Sequence, residues 1–215
     1  MKRFRLFVQI LFLAVFGWIV FKKATNIWLI LFMASLIESL LFGRIFCGWI
    51  CPMNTLMRPA AWISVKLGIQ KKGLPSWLQS RKWAAFILGL MVALIVISKK
   101  SGIQFPFLVF FLLLSVLVTL RFEPRLWHNH ICPFGVLQSL TGRFAKWRES
   151  VDFDQCIGCK QCMKVCPADA VRMLTAEKKV SIDPKFCHQC TRCTSVCPKD
   201  AIQYKKNEKL KKSRI

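Results

Sequence analysis

The 215-residue chain carries 33 basic residues against 10 acidic ones, a formal charge of +23, and 54% of its residues are hydrophobic. In a soluble chain that positive balance would point to nucleic acid. Here the apolar residues form long blocks with the charges between and after them, which argues against nucleic-acid binding and for a bilayer protein with basic faces on one side. Of 11 cysteines, eight lie in two groups of identical spacing, a repetition that metal ligation requires and a disulfide scaffold does not. Such thiolates need a reducing compartment.

In chain order, the apolar stretches are Phe4 to Phe21, Asn26 to Gly43, Trp83 to Ser98 and Ile103 to Leu120. Each is close to the lower limit of about 17 residues for crossing hydrocarbon. A chain of this size cannot bury four such helices on all sides, so they are expected to span. The first has the charged start of a signal peptide, but Lys22 and Lys23 follow Phe21 in place of a small-residue cleavage site, so it reads as a retained helix. Most basic residues lie before the first stretch, in the long segment between the second and third, and after the fourth; the short loops between the first and second and between the third and fourth hold only Lys22 and Lys23, and Lys99 and Lys100. The positive-inside rule then puts both termini and that central segment in the cytoplasm of a multi-pass inner-membrane protein. Glu38 falls inside the second stretch, where an acid is costly; it either handles a proton or a quinone, or is satisfied by a neighbouring helix.

The segment Arg44-Ile-Phe-Cys-Gly-Trp-Ile-Cys-Pro-Met-Asn-Thr-Leu56 aligns without a gap on Arg125-Leu-Trp-His-Asn-His-Ile-Cys-Pro-Phe-Gly-Val-Leu137. The membrane part, residues 1–147, therefore reads as two parallel copies of a helix-pair unit with Cys-x3-Cys-Pro elements at 47–52 and 128–133. Cys47 in the first copy corresponds to His128 in the second. Cys47, Cys51, His128 and Cys132 are expected to converge as a Cys3His site for a further Fe–S cluster, with His130 as a competing imidazole. The alternatives are buried cysteines acting as small apolar residues, or a redox-active Cys47–Cys51 disulfide. Thr55 to Ile69 and Val136 to Trp147 mix aromatic and basic residues and suit either helices at the membrane interface or ordinary loop segments.

Composition shifts near Val151, opening a module over residues 151–204 with a basic tail at 205–215. It contains Cys156-Ile-Gly-Cys159-Lys-Gln-Cys162-Met-Lys-Val-Cys166-Pro167 and Cys187-His-Gln-Cys190-Thr-Arg-Cys193-Thr-Ser-Val-Cys197-Pro198. Both are the Cys-x2-Cys-x2-Cys-x3-Cys-Pro run of two-cluster ferredoxins, in which the fourth cysteine serves the other cluster. One 4Fe–4S cluster is expected on Cys156, Cys159, Cys162 and Cys197, and the other on Cys187, Cys190, Cys193 and Cys166. Zinc usually takes paired Cys-x2-Cys knuckles and fits these runs less well. Short strands are expected near Val171 to Leu174 and Lys179 to Ile182, with Ala168, Ala170, Val171, Ala201 and Ile202 in the core. His188 either tunes a cluster or lies on the surface.

The fold class is thus a mostly α membrane protein of four transmembrane helices in two parallel repeats, followed by a small α+β two-cluster ferredoxin domain. Cys47-Gly-Trp-Ile-Cys51-Pro52, Ile131-Cys132-Pro133-Phe134-Gly135 and the eight ferredoxin cysteines resemble the membrane polyferredoxins of the NapH type and the related NosR-type proteins. The resemblance implies an electron-transfer subunit of the cytoplasmic membrane, drawing on the quinol pool and serving partner proteins or other subunits of a respiratory complex, or a maturation pathway. It departs from the family pattern at His128, where Cys is common. No Cys-x-x-Cys-His for c-type haem is present, and no stretch corresponds to the flavin-binding domain of larger relatives. The expected function is a relay of single electrons, with no nucleic-acid partner. A quinol dehydrogenase with its own quinone site near Glu38, and a membrane-tethered redox sensor or assembly factor for another metalloenzyme, are the rivals.

Overall fold

The computed structural model describes residues 2–71, 80, 82–101 and 106–206. The described part is mostly helical. Helix α1 spans Lys2–Phe21 and α2 spans Thr25–Phe42. A π-helical turn at Phe46–Ile50 leads to α3, Pro52–Lys66. Then come α4, Lys82–Ser101, and α5, Phe107–Arg121. The short α6, Pro124–Leu126, runs into a second π-helical turn at Trp127–Ile131 and into α7, Pro133–Gly142. Strands β1, Trp147–Val151, β2, Val171–Leu174, β3, Lys179–Ile182, and β4, Ile202–Lys206, follow, with α8, Gln161–Val165, after β1. Two helices, over Arg3–Phe21 and Thr25–Phe42, are long and apolar enough to cross a membrane; the apolar parts of α4 and α5 are shorter, at Lys82–Ser98 and Phe107–Arg121. The first residues of the expected fourth stretch, 103–105, and 207–215 of the expected tail lie outside the described residues.

Packing divides the chain into two compact units, one comprising the chain up to Phe32 together with Trp49–Leu137, the other Met33–Gly48 together with the chain from Gln138 onward. This division differs from a boundary at residue 147: the end of α2 and the loop after it pack with the C-terminal strands.

In the first unit the exposure of α1 is inverted relative to a helix in water. Arg5 and Gln9 are buried while Phe4, Phe7, Ile10, Leu11 and Trp18 are exposed, the pattern of a helix in apolar surroundings. Gln9 accepts a hydrogen bond from Arg58 Nη1 at 2.7 Å. The helix ends with Lys23 left-handed at φ 56°, where Lys23 N–H donates to Val20 and Ala24 N–H to Ile19, a Schellman close that satisfies the last carbonyls. In α5 the buried Ser115 and Thr119 donate to the carbonyls of Leu112 and Ser115 within their own helix, so neither hydroxyl is left unsatisfied in an apolar setting. The ends of α3 and α5 are tied together by Ser64 Oγ donating to Leu120 O and Arg121 Nη1 donating to Ile69 O at 2.8 Å. The core of this unit joins Met53, Met57, Met91, Phe111, Trp127 and Cys132, with Cys51 and Phe134 packed against it.

The two copies of the repeat have the same local structure. Each π-helical turn delivers a cysteine in extended conformation, Cys51 at φ −62°, ψ 119° and Cys132 at φ −63°, ψ 114°, followed by proline at the first helical position. A residue before proline is driven to this region, and proline at N1 lacks only an N–H that would be unsatisfied anyway. Thr55 N–H donates to Cys51 O and Val136 N–H to Cys132 O, both at 3.2 Å.

In the second unit β1 pairs antiparallel with β4, from Trp147↔Lys206 to Val151↔Ile202, and β2 with β3, from Val171↔Ile182 to Leu174↔Lys179. Val136 to Trp147 is therefore not one interfacial helix: α7 stops at Gly142, and Trp147 opens a strand, stacked on Tyr204. Val171, Val180, Ile202, Cys162 and Cys193 form the core, and Ala168, Ala170 and Ala201 are buried beside it. From α2, Ser39 Oγ donates to Thr141 Oγ1, and Gln138 Nε2 donates to Ser35 Oγ at 2.7 Å.

Candidate iron–sulfur sites

Each cysteine run of the second unit is entered through an Asx turn. Asp154 N–H donates to Asp152 Oδ1 and Lys185 N–H to Asp183 Oδ1. The first cysteine of each run is then held by the same aspartate's carbonyl, Cys156 to Asp152 and Cys187 to Asp183, both at 3.1 Å. Within the runs the backbone turns left-handed at matching places: Gly158 and Gln189, Lys160 and Thr191, and, after the Cys-Pro pairs, Asp169 and Asp200. Repeated left-handed turns swing successive cysteines toward a common centre, which a helix or strand cannot do over so few residues. Gly158 is obligatory here, since a Cβ on it would lie 2.1 Å from the Lys178 carbonyl.

The two halves exchange their ends. Asp152 N–H donates to Ala201 O at 2.7 Å and Asp183 N–H to Ala170 O at 2.8 Å. Each Cys-Pro segment is thereby carried to the start of the opposite run. Cys156, Cys159, Cys162 and Cys197 line one open recess, together with Ile157, Lys160, Pro198 and Lys199. On the other side, burial and then, among lesser effects, the neighbouring Cys190 thiol push the Cys166 thiol up. Burial pushes the Cys193 thiol up to about 12, and the Cys187 thiol, held in the interior, well above its ordinary range. Ala170 N–H donates to Cys166 Sγ at 3.2 Å, the kind of bond that tunes a cluster sulfur.

These donor sets fit 4Fe–4S clusters: four soft sulfur donors around an open recess in one case, and in the other four thiols of which Cys187 and Cys193 are buried and Cys166 and Cys190 half-buried.

Of the Cys-x3-Cys-Pro residues, Cys51 and Cys132 join one apolar cluster in the first unit, where Gly135 N–H donates to Cys132 Sγ at 3.4 Å. His128 is buried in the same unit and His130 is half-buried. Cys47 is buried in the second unit, where Arg44 Nη2 donates to its Sγ at 3.7 Å. Glu38 is half-buried on α2. His188 is not a surface residue, being 2% exposed: the loop carrying it is covered by Gly43–Gly48, whose Gly48 Cβ position lies 2.2 Å from the His188 carbonyl. In the sequence Arg44 is marked only as a repeat match and a basic loop residue, and nothing local marks Gln189 or Glu149. All three are buried polar residues of the second unit. The only sequence signal for any of them was the match of Arg44 to Arg125.

An apolar helical portion with two linked thiolate sets defines a polyferredoxin-type iron–sulfur protein. Residues 26–70 and 104–151 match the family described as "4Fe-4S binding domain", and residues 148–198 match the "4Fe-4S dicluster domain". The chain is 31% identical to the methylamine utilization ferredoxin-type protein MauN of Methylobacillus flagellatus, over 58% of this chain and 48% of that one. It is 27% identical to the ferredoxin-type protein NapH of Haemophilus influenzae, over 61% and 50%, and 25% identical to the regulatory protein NosR of Stutzerimonas stutzeri, over 66% and 22%. The chain belongs to the NapH-type polyferredoxin family of 4Fe–4S proteins. It spans about half the length of the first relatives it matches.

Proposed function

We propose that this chain is a membrane-bound iron–sulfur protein that relays single electrons between a membrane donor, the quinol pool, and a redox partner protein. The observation that carries this reading is the exchange of the two Cys-Pro ends, which assembles two cysteine quartets in one compact core. Cys156, Cys159, Cys162 and Cys197 hold one 4Fe–4S cluster, and Cys187, Cys190, Cys193 and Cys166 the other. When bound, these clusters supply one-electron oxidation and reduction. The chain's own residues set their separation, shield the second quartet from water and leave the first open to a partner: Cys159 is exposed, whereas Cys187 and Cys193 are buried. Helices α1, α2, α4 and α5 are the four spans, with both termini on the cytoplasmic side. The inverted exposure of α1 and the basic loops support this arrangement. Cys47, Cys51, His128 and Cys132 are the ligands proposed for a further Fe–S cluster.

The test is anaerobic purification of the full chain, iron and sulfide analysis, and EPR before and after addition of a quinol. About eight irons or more per chain with quinol-dependent reduction, alone or with added subunits, supports the relay; a chain that binds no iron refutes it. Similarity to a relative named as a regulatory protein favours, as second reading, a membrane-tethered redox sensor or maturation factor. A deletion strain with normal electron flux but an unmetallated partner enzyme would select that reading.

A further inference from the structure

Arg44 is 1% exposed. Its Nη1 donates to the Lys185 carbonyl at 3.2 Å and its Nη2 to Cys47 Sγ at 3.7 Å. Among the described residues its Nε has no acceptor, and no carboxylate lies within ion-pair distance of it. A guanidinium taken out of water without an anion is strongly unfavourable, and arginine cannot escape by losing its proton. An anion must therefore be supplied nearby in the working protein.

The surroundings say where. Lys185, whose carbonyl Arg44 binds, stands just ahead of Cys187. The loop holding Arg44 lies directly on the second cysteine run, and three glycines make the fit possible. A Cβ on Gly43 would lie 2.7 Å from Gln189 Nε2, one on Gly48 2.2 Å from His188 O and 3.4 Å from Cys190 Cβ, and one on Gly142 2.9 Å from Arg44 Cγ. Glu149, the buried acid beside this run, accepts a hydrogen bond from Thr194 Oγ1 instead of pairing with Arg44. Among the described residues lining the recess of the first run, the cations are Lys160 and Lys199, both exposed to water.

We propose that Arg44 is the buried countercharge of the iron–sulfur site on the second cysteine run, held there by the glycines at 43, 48 and 142. This rests on the electron-transfer reading above. A cluster carried by four thiolates is anionic and gains one more negative charge on reduction, so a fixed cation beside it favours the reduced state. Arg44 is a positioning residue in this sense: it sets the second site's potential above the value the cysteines alone would give, while the first site depends on solvent.

The experiment is an anaerobic EPR-monitored redox titration of the full chain in detergent, with Arg44→Gln and Arg44→Lys, and with Cys187→Ala to identify the signal of the second run. The expected result is that Arg44→Gln moves that signal alone to a more negative potential, while Arg44→Lys stays near wild type. Arg44 also donates to Cys47 Sγ, so Cys47→Ala is run beside Cys187→Ala: full iron content with neither signal moved, with both moved equally, or with the shift confined to a signal that Cys47→Ala abolishes, overturns the proposal. Should Arg44→Gln lose its iron, Arg44→Lys decides. Full iron and a near-wild-type potential support a role for the charge, and equal loss in both variants overturns it in favour of shape alone. Absence of iron from the wild-type chain would instead refute the electron-transfer reading itself.

Discussion

The N–H of Asp152 donates to the carbonyl of Ala201 at 2.7 Å, and the N–H of Asp183 does the same to Ala170 at 2.8 Å. These two bonds cross the halves of the C-terminal module and bring each fourth cysteine to the opposite run. Crossed ligation gives a sharp expectation. Cys197→Ala should abolish the same EPR signal as Cys156→Ala, and Cys166→Ala the same signal as Cys187→Ala, each taking about four irons from the total. If Cys197→Ala and Cys187→Ala remove the same signal, ligation runs within each motif instead.

Gly158 has φ 68° and a Cβ position 2.1 Å from the Lys178 carbonyl. Gly158→Ala should destabilise the module by at least about 1–2 kcal/mol from the left-handed backbone alone, and by more because a backbone carbonyl must move. The midpoint temperature for bleaching of the cluster's visible absorbance should fall. Gly17→Ala, with nothing within 4 Å and lying inside α1, should leave it unchanged or raise it.

Gln9 is 2% exposed and accepts from Arg58 Nη1 at 2.7 Å. Gln9→Leu removes the acceptor of Arg58 Nη1 and should cost about 1.5–3 kcal/mol, the range for hydrogen bonds to charged groups. Thermal aggregation of the detergent-solubilised chain should begin at a lower temperature. Phe7→Leu, on the exposed face of the same helix, is the control and should behave as wild type; equal onset temperatures in both variants would argue against the Arg58–Gln9 bond.

Glu149 is buried, and burial raises its carboxyl above the ordinary range, with the hydrogen bond from Thr194 acting in the opposite direction. At acidic pH both the folded and the unfolded chain hold this proton, and the residue costs nothing extra. As pH rises the unfolded chain ionises first, and stability falls until the folded carboxyl ionises as well. Glu149→Gln should therefore match wild type in acid and exceed it at neutral pH. A thermal-stability difference that does not vary with pH would count against this.

Cys51 separates the readings of the Cys-x3-Cys-Pro elements. With a cluster there, iron content should fall from about twelve to about eight per chain in Cys51→Ala; with cysteines serving only as packing, both proteins should hold about eight. The measurement is anaerobic iron and sulfide analysis.

Local features were legible because they depend on neighbours in sequence. The strands at Val171–Leu174 and Lys179–Ile182 could be read from the residues alone, and the Cys-Pro pairs forced the extended cysteines and helix starts of both repeat copies. The matching left-handed turns could be anticipated at Gly158 but not at Gln189 or Thr191, since non-glycine residues adopt that conformation only under tertiary constraint. That α7 stops at Gly142 is not legible locally, because Trp147 pairs with a strand more than fifty residues later.

By itself, the sequence determined that this protein presents two Cys-x2-Cys-x2-Cys-x3-Cys-Pro runs and apolar helices with basic flanks, because ligand spacing and hydropathy are properties of short windows. Tertiary structure alone decided that the Gly43–Gly48 loop lies on the second run, that His188 is buried, and that Arg44 stands there with no carboxylate partner among the described residues. Those facts depend on the close approach of backbones distant in sequence, which three glycines permit and no local pattern announces.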